Sequence, residues 1–275
     1  GKENREISSS VNKYMTQGIL ARVQYDFDEK VFFSASFTRE ASSRFAKENR
    51  WGNFWSVGAG WLINKESFLE DATWIDLLKL KVSYGTTGND NLGSSTVAYY
   101  PYIDQYTASY NEETGEYSTS TSYKGNRTIT WEKSNSVNTG VDFGLFGGYL
   151  NGTVEYFDRT TRDLLYAKDV PLSSGNPTGY VLTNVGSVRN NGVEVSLDGK
   201  IISNRNVNWT WNLNASHYKN TILALDPDIP VEEGDCRIPA LDDSFRRPEV
   251  GTNLPVRIDV LRRIAVADED KSRGR

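Results

Sequence analysis

The chain has 275 residues, a formal net charge of −5 and 37% hydrophobic residues, among them 7 Trp and 15 Tyr. The acidic balance argues against a nucleic-acid-binding protein, because phosphate backbones select basic surfaces. The single cysteine, Cys236, excludes an intrachain disulfide and a zinc site of the multi-cysteine type.

The first predicted elements form a hairpin. Apolar residues occupy every second position from Ile19 to Phe27 and again from Val31 to Phe37, with a polar turn at residues 28–30 between the two runs. A period of two predicts β-strands, and a short polar turn between two such runs predicts a hairpin. Each strand therefore has one apolar, aromatic-rich side and one polar side.

The same alternation recurs along the chain as far as His217. It predicts further strands at residues 53–63, 78–84, 131–145, 150–156, 192–202 and 207–215. Residues 64–78 break the period and predict a short helical connection. Residues 86–130 and 159–187 are polar and predict long loops, with part of residues 96–102 a strand extension.

Lengths of the connections indicate the architecture. Connections at residues 28–30, 64–77, 146–148 and 203–206 are short or compact, whereas those at 40–52, 86–130 and 160–187 are mostly longer and polar. No stretch approaches the roughly 20 apolar residues of a membrane helix, but amphipathic strands joined by alternating short turns and long loops are typical of outer-membrane barrels. The predicted fold is all-β, with antiparallel up-and-down strands that form part of a large transmembrane β-barrel and leave an open sheet.

A barrel wall of this kind has lipid on one side and a polar lumen on the other. Alternation then predicts that Val23, Phe33, Val57, Val141, Val195 and Leu213 face lipid, and that Gln24, Ser34, Gly58, Asp142, Ser196 and Asn212 face the lumen. Trp55, Trp61, Trp209 and Trp211 belong to the apolar side, where aromatic girdles are expected.

Several longer motifs carry a family resemblance. They are SRF at residues 43–45, NRWGNFWSVGAGW at 49–61, LLKLKVSYGTTGND at 77–90, WEKSNSVNTGVDFGLF at 131–146, VEYFDRTTRDLL at 154–165 and NVGSVRNNGVEVSL at 184–197. In this order and spacing, the chain resembles the barrel of the SusC/RagA family. These proteins are TonB-dependent outer-membrane transporters of Bacteroidetes-like bacteria.

This resemblance implies a function, a location and partners. The protein is expected in the outer membrane of a Gram-negative bacterium, as part of a transporter that imports bulky nutrients such as oligosaccharides or peptides. A SusD-like surface lipoprotein is expected to cap the barrel, and TonB–ExbB–ExbD is expected to act through a plug. The family barrel belongs to the plugged class of about 22 strands, so the chain is expected to be a fragment that lacks the plug and the closing strand.

Composition changes after Asp235. Phe245 is the only aromatic residue beyond it, and the tail is rich in Arg and Pro. We therefore expect two regions, a partial barrel at residues 1–235 and an atypical tail at 236–275. One interpretation of the tail is an out-of-frame translation or gene-calling artefact, and the other is a divergent or disordered loop.

No catalytic constellation is visible. His217 ends a strand with no Ser or Cys motif that points to it, and an incidental histidine is the simpler interpretation. We expect no enzyme activity, no metal site and no cofactor. Aromatic residues of the predicted loops are candidates for stacking on a sugar or contacting a peptide: Tyr99, Tyr100, Tyr102, Tyr106, Tyr110 and Trp131.

A competing function class is a secreted or surface β-protein that binds glycans through its aromatic side chains. Such a module would be soluble without detergent, whereas an open barrel wall would aggregate because it exposes an apolar side and two strand edges.

Overall fold

The chain forms a long antiparallel sheet in a computed structural model that describes residues 12–93, 95–111, 113–203, 207–226 and 257–266. In chain order the strands are β1 (Thr16–Phe27), β2 (Val31–Ser42), β3 (Trp51–Leu62), β4 (Ile75–Asn89), β5 (Gln105–Asn111), β6 (Glu116–Tyr123), β7 (Glu132–Leu145), β8 (Leu150–Asp169), β9 (Tyr180–Ser203), β10 (Val207–Ala224) and β11 (Arg257–Val266). The helices are α1 (Thr96–Tyr99) and the single-turn 3-10 helices Ile63–Lys65, Ser67–Leu69 and Leu172–Ser174.

The strands are hydrogen-bonded in the order β1-β2-β3-β4-β7-β8-β9-β10-β11, a 9-stranded sheet within the described residues. Strands β5 and β6 pair only with each other, as a separate hairpin between β4 and β7. Each strand of the large sheet pairs antiparallel with the one before it. This order confirms the predicted all-β, up-and-down fold with an open sheet.

Cross-strand register places the alternating residues on two consistent sides of the sheet. Val57 lies opposite Ala35 and Tyr84, and Val195 lies opposite Val154 and Ala215. We call the side that carries these residues the apolar face and the other side the polar face. The predicted lipid-facing and lumen-facing sets fall on the apolar and polar faces respectively.

The apolar face is largely uncovered. Ile19, Val23 and Phe27 are 64%, 63% and 61% exposed, and Trp55 packs against Tyr84 in a tilted arrangement with ring centroids 5.1 Å apart. A contiguous exposed apolar surface of this extent needs a nonaqueous environment, and lipid would provide it.

Two segments that were predicted as loops contain helix or strand in the structure. The segment at residues 96–102 is not a strand extension but begins with helix α1, whose Ser95 side chain caps it by accepting a hydrogen bond from the Ala98 N–H. The polar residues at 160–187 mostly extend β8 and β9, and only residues 170–179 connect the two strands. The left-handed backbone at Asp163 (φ 55°) and Gly186 (φ 60°) interrupts the period of two there, so alternation fails as a strand signal.

The predicted helical connection at residues 64–77 contains two single-turn 3-10 helices and turns, and β4 already begins at Ile75. Of the predicted turn at 203–206, residues 204–206 lie outside the described residues. Of the tail at 236–275, only β11 is described, and it pairs antiparallel with β10. Among the described helices, none has the length and apolar composition that a membrane crossing requires.

Candidate functional site

The longer connections meet at one end of the sheet, which we call the loop end. It comprises residues 43–50, 90–131 and 170–179. The Asn49 side-chain amide donates to the Arg127 carbonyl oxygen at 3.0 Å, and the Lys124 N–H donates to the Asn176 side-chain oxygen at 3.4 Å. These contacts join all three connections.

The short connections meet at the opposite end, the turn end. Lys65 forms an ion pair with Glu29 at 3.1 Å, which joins the β1–β2 turn to the β3–β4 connection. The Gly148 N–H donates to Asp76 at 2.9 Å, and the Lys200 N–H donates to the Tyr149 carbonyl oxygen at 2.8 Å. The connections that alternate in length along the chain therefore lie at opposite ends of the sheet.

A buried apolar cluster holds the loop end together. Its members are Phe45, Phe54, Leu92, Ala98, Ile129, Trp131, Leu165 and Leu182. The Trp131 ring lies 5.3 Å from Phe45 and 5.4 Å from Phe54, measured between ring centroids, and its indole N–H donates to the Arg50 carbonyl oxygen at 2.9 Å. Because these residues come from the connections at 43–50 and 90–131 and from β3, β8 and β9, the cluster fixes those two loops on the wall.

A polar network lies beside this cluster. Asp90 accepts hydrogen bonds from the Tyr14 hydroxyl at 2.8 Å and from the Ser42 hydroxyl at 2.5 Å. The Arg44 guanidinium donates to the Asp90 carbonyl oxygen at 2.9 Å and lies 4.8 Å from the Tyr14 ring centroid. Burial, with the hydrogen bond to Asp90, raises the pKa of Tyr14 to about 12. The start of β1 is thereby tied to the end of β4.

Glu48 and Arg127 form an exposed ion pair at 2.9 Å between two long connections. The hydrogen bond from Arg127 lowers the pKa of the Glu48 carboxyl.

The candidate aromatic residues divide into two groups. Trp131 is 3% exposed inside the cluster and Tyr102 packs against it, while the Tyr99 ring lies 5.6 Å from the Arg44 guanidinium. Tyr106 and Tyr110, on the β5–β6 hairpin, are 64% and 54% exposed. The two hairpin residues are the most exposed of the set, although Tyr110 packs on Tyr117 with ring centroids 4.9 Å apart. Trp131 supports the loops rather than offering a stacking surface.

The polar face carries a charge cluster that sequence reasoning missed. The Lys81 ammonium lies 3.0 Å from a carboxylate oxygen of Asp142 and 3.0 Å from one of Glu155. Lys81 lies opposite Gly140, which in turn lies opposite Glu155. A Cβ at Gly140 would lie 3.0 Å from the Lys81 side chain, so the absent side chain lets Lys81 span two strands.

A hollow of about 530 Å³ lies on the polar face near the turn end. Its lining includes Gln24, Ser34, Gly58, Lys79 and Lys81. Small residues on β2 and β3 leave room there for a structure packed inside a barrel. Long cationic residues of β4 line the same hollow. The period of two predicts which side of the sheet each of these residues occupies. Which of them lie next to one another depends on the register between strands.

Comparison with known proteins matches this architecture. A family model described as "TonB dependent receptor-like, beta-barrel" matches residues 3–251. TonB-dependent receptor P39 of Formosa agariphila is 36% identical over 218 residues, covering 78% of this chain and 20% of that protein. TonB-dependent receptor SusC of Bacteroides thetaiotaomicron is 33% identical over 246 residues, covering 84% of this chain and 23% of that protein.

Solved structures agree with the sequence relatives. The structure of the RagAB peptide transporter superposes with a TM-score of 0.74 at 32% identity, covering 83% of this chain and 25% of the matched chain. The RagAB peptide importer in its closed-closed state gives a TM-score of 0.70 at 33% identity. The chain thus spans only about a quarter or less of the length of these relatives.

Proposed function

This chain belongs to the TonB-dependent receptor β-barrel family and is of the SusC/RagA type, and we propose that it is a wall segment of a transporter that imports bulky nutrients. Proteins of this family are outer-membrane transporters and receptors. The wall supplies a lipid-facing surface, a lumen lining and external loops. Oligosaccharides or peptides are the proposed cargo, and the protein named as a RagAB peptide transporter supports peptides as one candidate class.

The single observation that carries this proposal is the division of the sheet. One side is an exposed apolar face, and the other is a polar face with glycines and charges. A glycan-binding module that is soluble in water has no use for a broad uncovered apolar face. Lipid outside and a polar lumen inside account for both faces together, so the glycan-binding alternative is not favoured.

Partners follow from the two ends of the wall. We propose that the loop end faces the cell exterior and contacts a SusD-like surface lipoprotein. Exposed Tyr106 and Tyr110 of the β5–β6 hairpin are the proposed cargo contacts. Energy would come from TonB–ExbB–ExbD through a plug that the polar face surrounds, and we propose no enzyme activity for the segment.

The proposed function is tested by uptake in living cells. Deletion of the gene for the complete transporter should abolish growth on one class of oligosaccharide or peptide, and the intact gene should restore it. A protonophore should stop that uptake, because the proposed energy source is the proton-motive force. Growth on the corresponding monosaccharide or free amino acids is the control. Unchanged uptake of every oligosaccharide and peptide tested would contradict the proposal.

A further inference from the structure

Charged side chains on the apolar face are confined to its loop-end side. Over the regularly paired residues of β1 to β10 that the structure describes, they are Arg39, Lys133, Asp158, Arg162, Arg189 and Lys219. All but Asp158 are basic. The polar face, by contrast, carries charges of both signs from Asp26 and Lys79 near the turn end to Arg159 near the loop end.

Their height matches the outer boundary of a membrane. Arg162 and Lys133 each lie roughly 12 residues from the turn end of their own strands, which is about 40 Å along a strand and about 30 Å in height at the usual tilt. The apolar band of an outer-membrane barrel is about 25 Å tall. These side chains therefore lie where lipid headgroups begin.

Two of these cations lie directly opposite each other. Lys133 and Arg162 are cross-strand partners on the same face, and both are exposed. Like charges in this position destabilise a sheet unless an anion lies between them. Neither has a carboxylate partner within the described part of the chain, whereas Arg189 donates from Nε to both oxygens of Asp158 at 3.0 Å.

Strand order brings the other two cations to the same surface. β9, with Arg189, lies between β8, with Arg162, and β10, with Lys219. Thr160 and Thr221 are the cross-strand partners of Arg189 and flank it on the same face. The result is a surface of cationic side chains and hydroxyl groups. Both kinds of group can donate hydrogen bonds to phosphate oxygens.

We propose that Lys133, Arg162, Arg189 and Lys219 bind the phosphate groups of an outer-leaflet lipid headgroup. This inference rests on the proposed function, since it needs the apolar face to contact the membrane. Arg162 presents a planar donor pair that binds phosphate through two parallel hydrogen bonds, and the lysines add mobile point charges. Arg189, whose Nε donates to Asp158, contributes its remaining guanidinium donors. The acyl chains would lie below the site against Val154, Tyr156 and Val193, which share this face.

Lipid retention by the purified complete transporter tests the site. The double variant Arg162→Gln/Lys219→Gln removes two cations from the apolar face. The matched control, Arg22→Gln/Arg159→Gln, removes two from the polar face, where Arg22 lies opposite Ser36 and Arg159 donates to Ser136 at 3.1 Å. Each protein is exchanged into nanodiscs with lipid A or its dephosphorylated form, and retained lipid is counted by native mass spectrometry.

The wild type and the control should retain lipid A, and the apolar-face variant should retain it about tenfold less well. Dephosphorylated lipid A should be retained poorly by all three proteins, and millimolar inorganic phosphate should not displace lipid A. Equal retention by both double variants, or displacement by inorganic phosphate alone, would overturn the proposal. A heat-modifiable gel shift checks folding, and cargo uptake, which the variant should keep, tests the transporter function separately.

Discussion

Arginine placed on the two faces of β2 should have unequal costs. Ser34 and Ala35 are adjacent small residues, and both lie roughly 10 Å above the turn end, near the midplane of an apolar band about 25 Å tall. Ala35 lies between Val23 and Val57 on the apolar face, and Ser34 lies between Gln24 and Gly58 on the polar face. Ala35→Arg forces a charge into lipid, whereas Ser34→Arg extends into the hollow of about 530 Å³.

The expected cost of Ala35→Arg is about 2–4 kcal/mol of folding free energy, or roughly 30-fold to 1,000-fold in the folding equilibrium constant. Ser34→Arg should cost under about 1 kcal/mol, because the charge stays in water. Both variants are made in the complete transporter, refolded into lipid vesicles and unfolded with urea, and the folded fraction is followed by gel mobility. Equal costs, or a larger cost for Ser34→Arg, would refute the assignment of lipid to the apolar face.

Three further changes probe the loop end and the polar face. Trp131→Ala should destabilise the loop end by about 3–5 kcal/mol through the cavity that it leaves, measured as faster proteolysis of residues 90–131 on intact cells. Gly140→Ala should displace Lys81 from Glu155 and cost about 1–3 kcal/mol, because a Cβ there would meet the Val154 carbonyl oxygen at 2.8 Å. The free energy of unfolding of the wild type should fall between pH 10 and about 12, and Tyr14→Phe should lack this fall. Urea unfolding at a series of pH values measures it.

Controls accompany these predictions. Trp131→Phe should restore most of the protease resistance, because it keeps the ring contacts but loses the indole hydrogen bond to Arg50. Lys81→Met should cost only about 0.5–1 kcal/mol, because its side chain is 34% exposed and the ion pairs are screened. A larger cost for Lys81→Met than for Gly140→Ala would mean that the charges, not the backbone space, dominate this site.

The sign of the Tyr14 prediction follows from the direction of its pKa. The folded pKa is raised from 10.0 to about 12, so folding favours the protonated hydroxyl that donates to Asp90. The contribution is fully present below pH 10 and is lost as the pH rises through about 12. The same slope in the wild type and in Tyr14→Phe would show that this hydroxyl does not contribute.

Local alternation was sufficient to predict the sides of the sheet, since Ser34 and Ala35 differ in side through period two alone. It failed where the backbone leaves the regular β conformation, as at Asp163 and Gly186. The extensions of β8 and β9 at the loop end are covered on both sides, since the adjacent residues Leu164 and Leu165 are both buried, so no single apolar side gives them a period of two. The ends of β8 and β9 were therefore predicted as loop.

Contacts between distant strands were beyond sequence reasoning. Lys81 meets Asp142 and Glu155 only because of the register on both sides of Gly140. Trp131 was a candidate cargo contact, yet it packs on Phe45 and Phe54, since aromatic residues in a polar segment suit either role. Burial separates the two roles, and burial depends on the assembled loops.

In the proposed orientation the loop end faces outward and the turn end faces the periplasm. Single cysteines at exposed positions test it directly: Thr114→Cys at the tip between β5 and β6, and Glu70→Cys in the β3–β4 connection. Both are placed in the complete transporter, without other accessible thiols, and intact cells are treated with a membrane-impermeant thiol reagent. Thr114→Cys should be labelled on intact cells, and Glu70→Cys should be labelled only after the outer membrane is permeabilised. Labelling of Glu70→Cys but not Thr114→Cys on intact cells would contradict it.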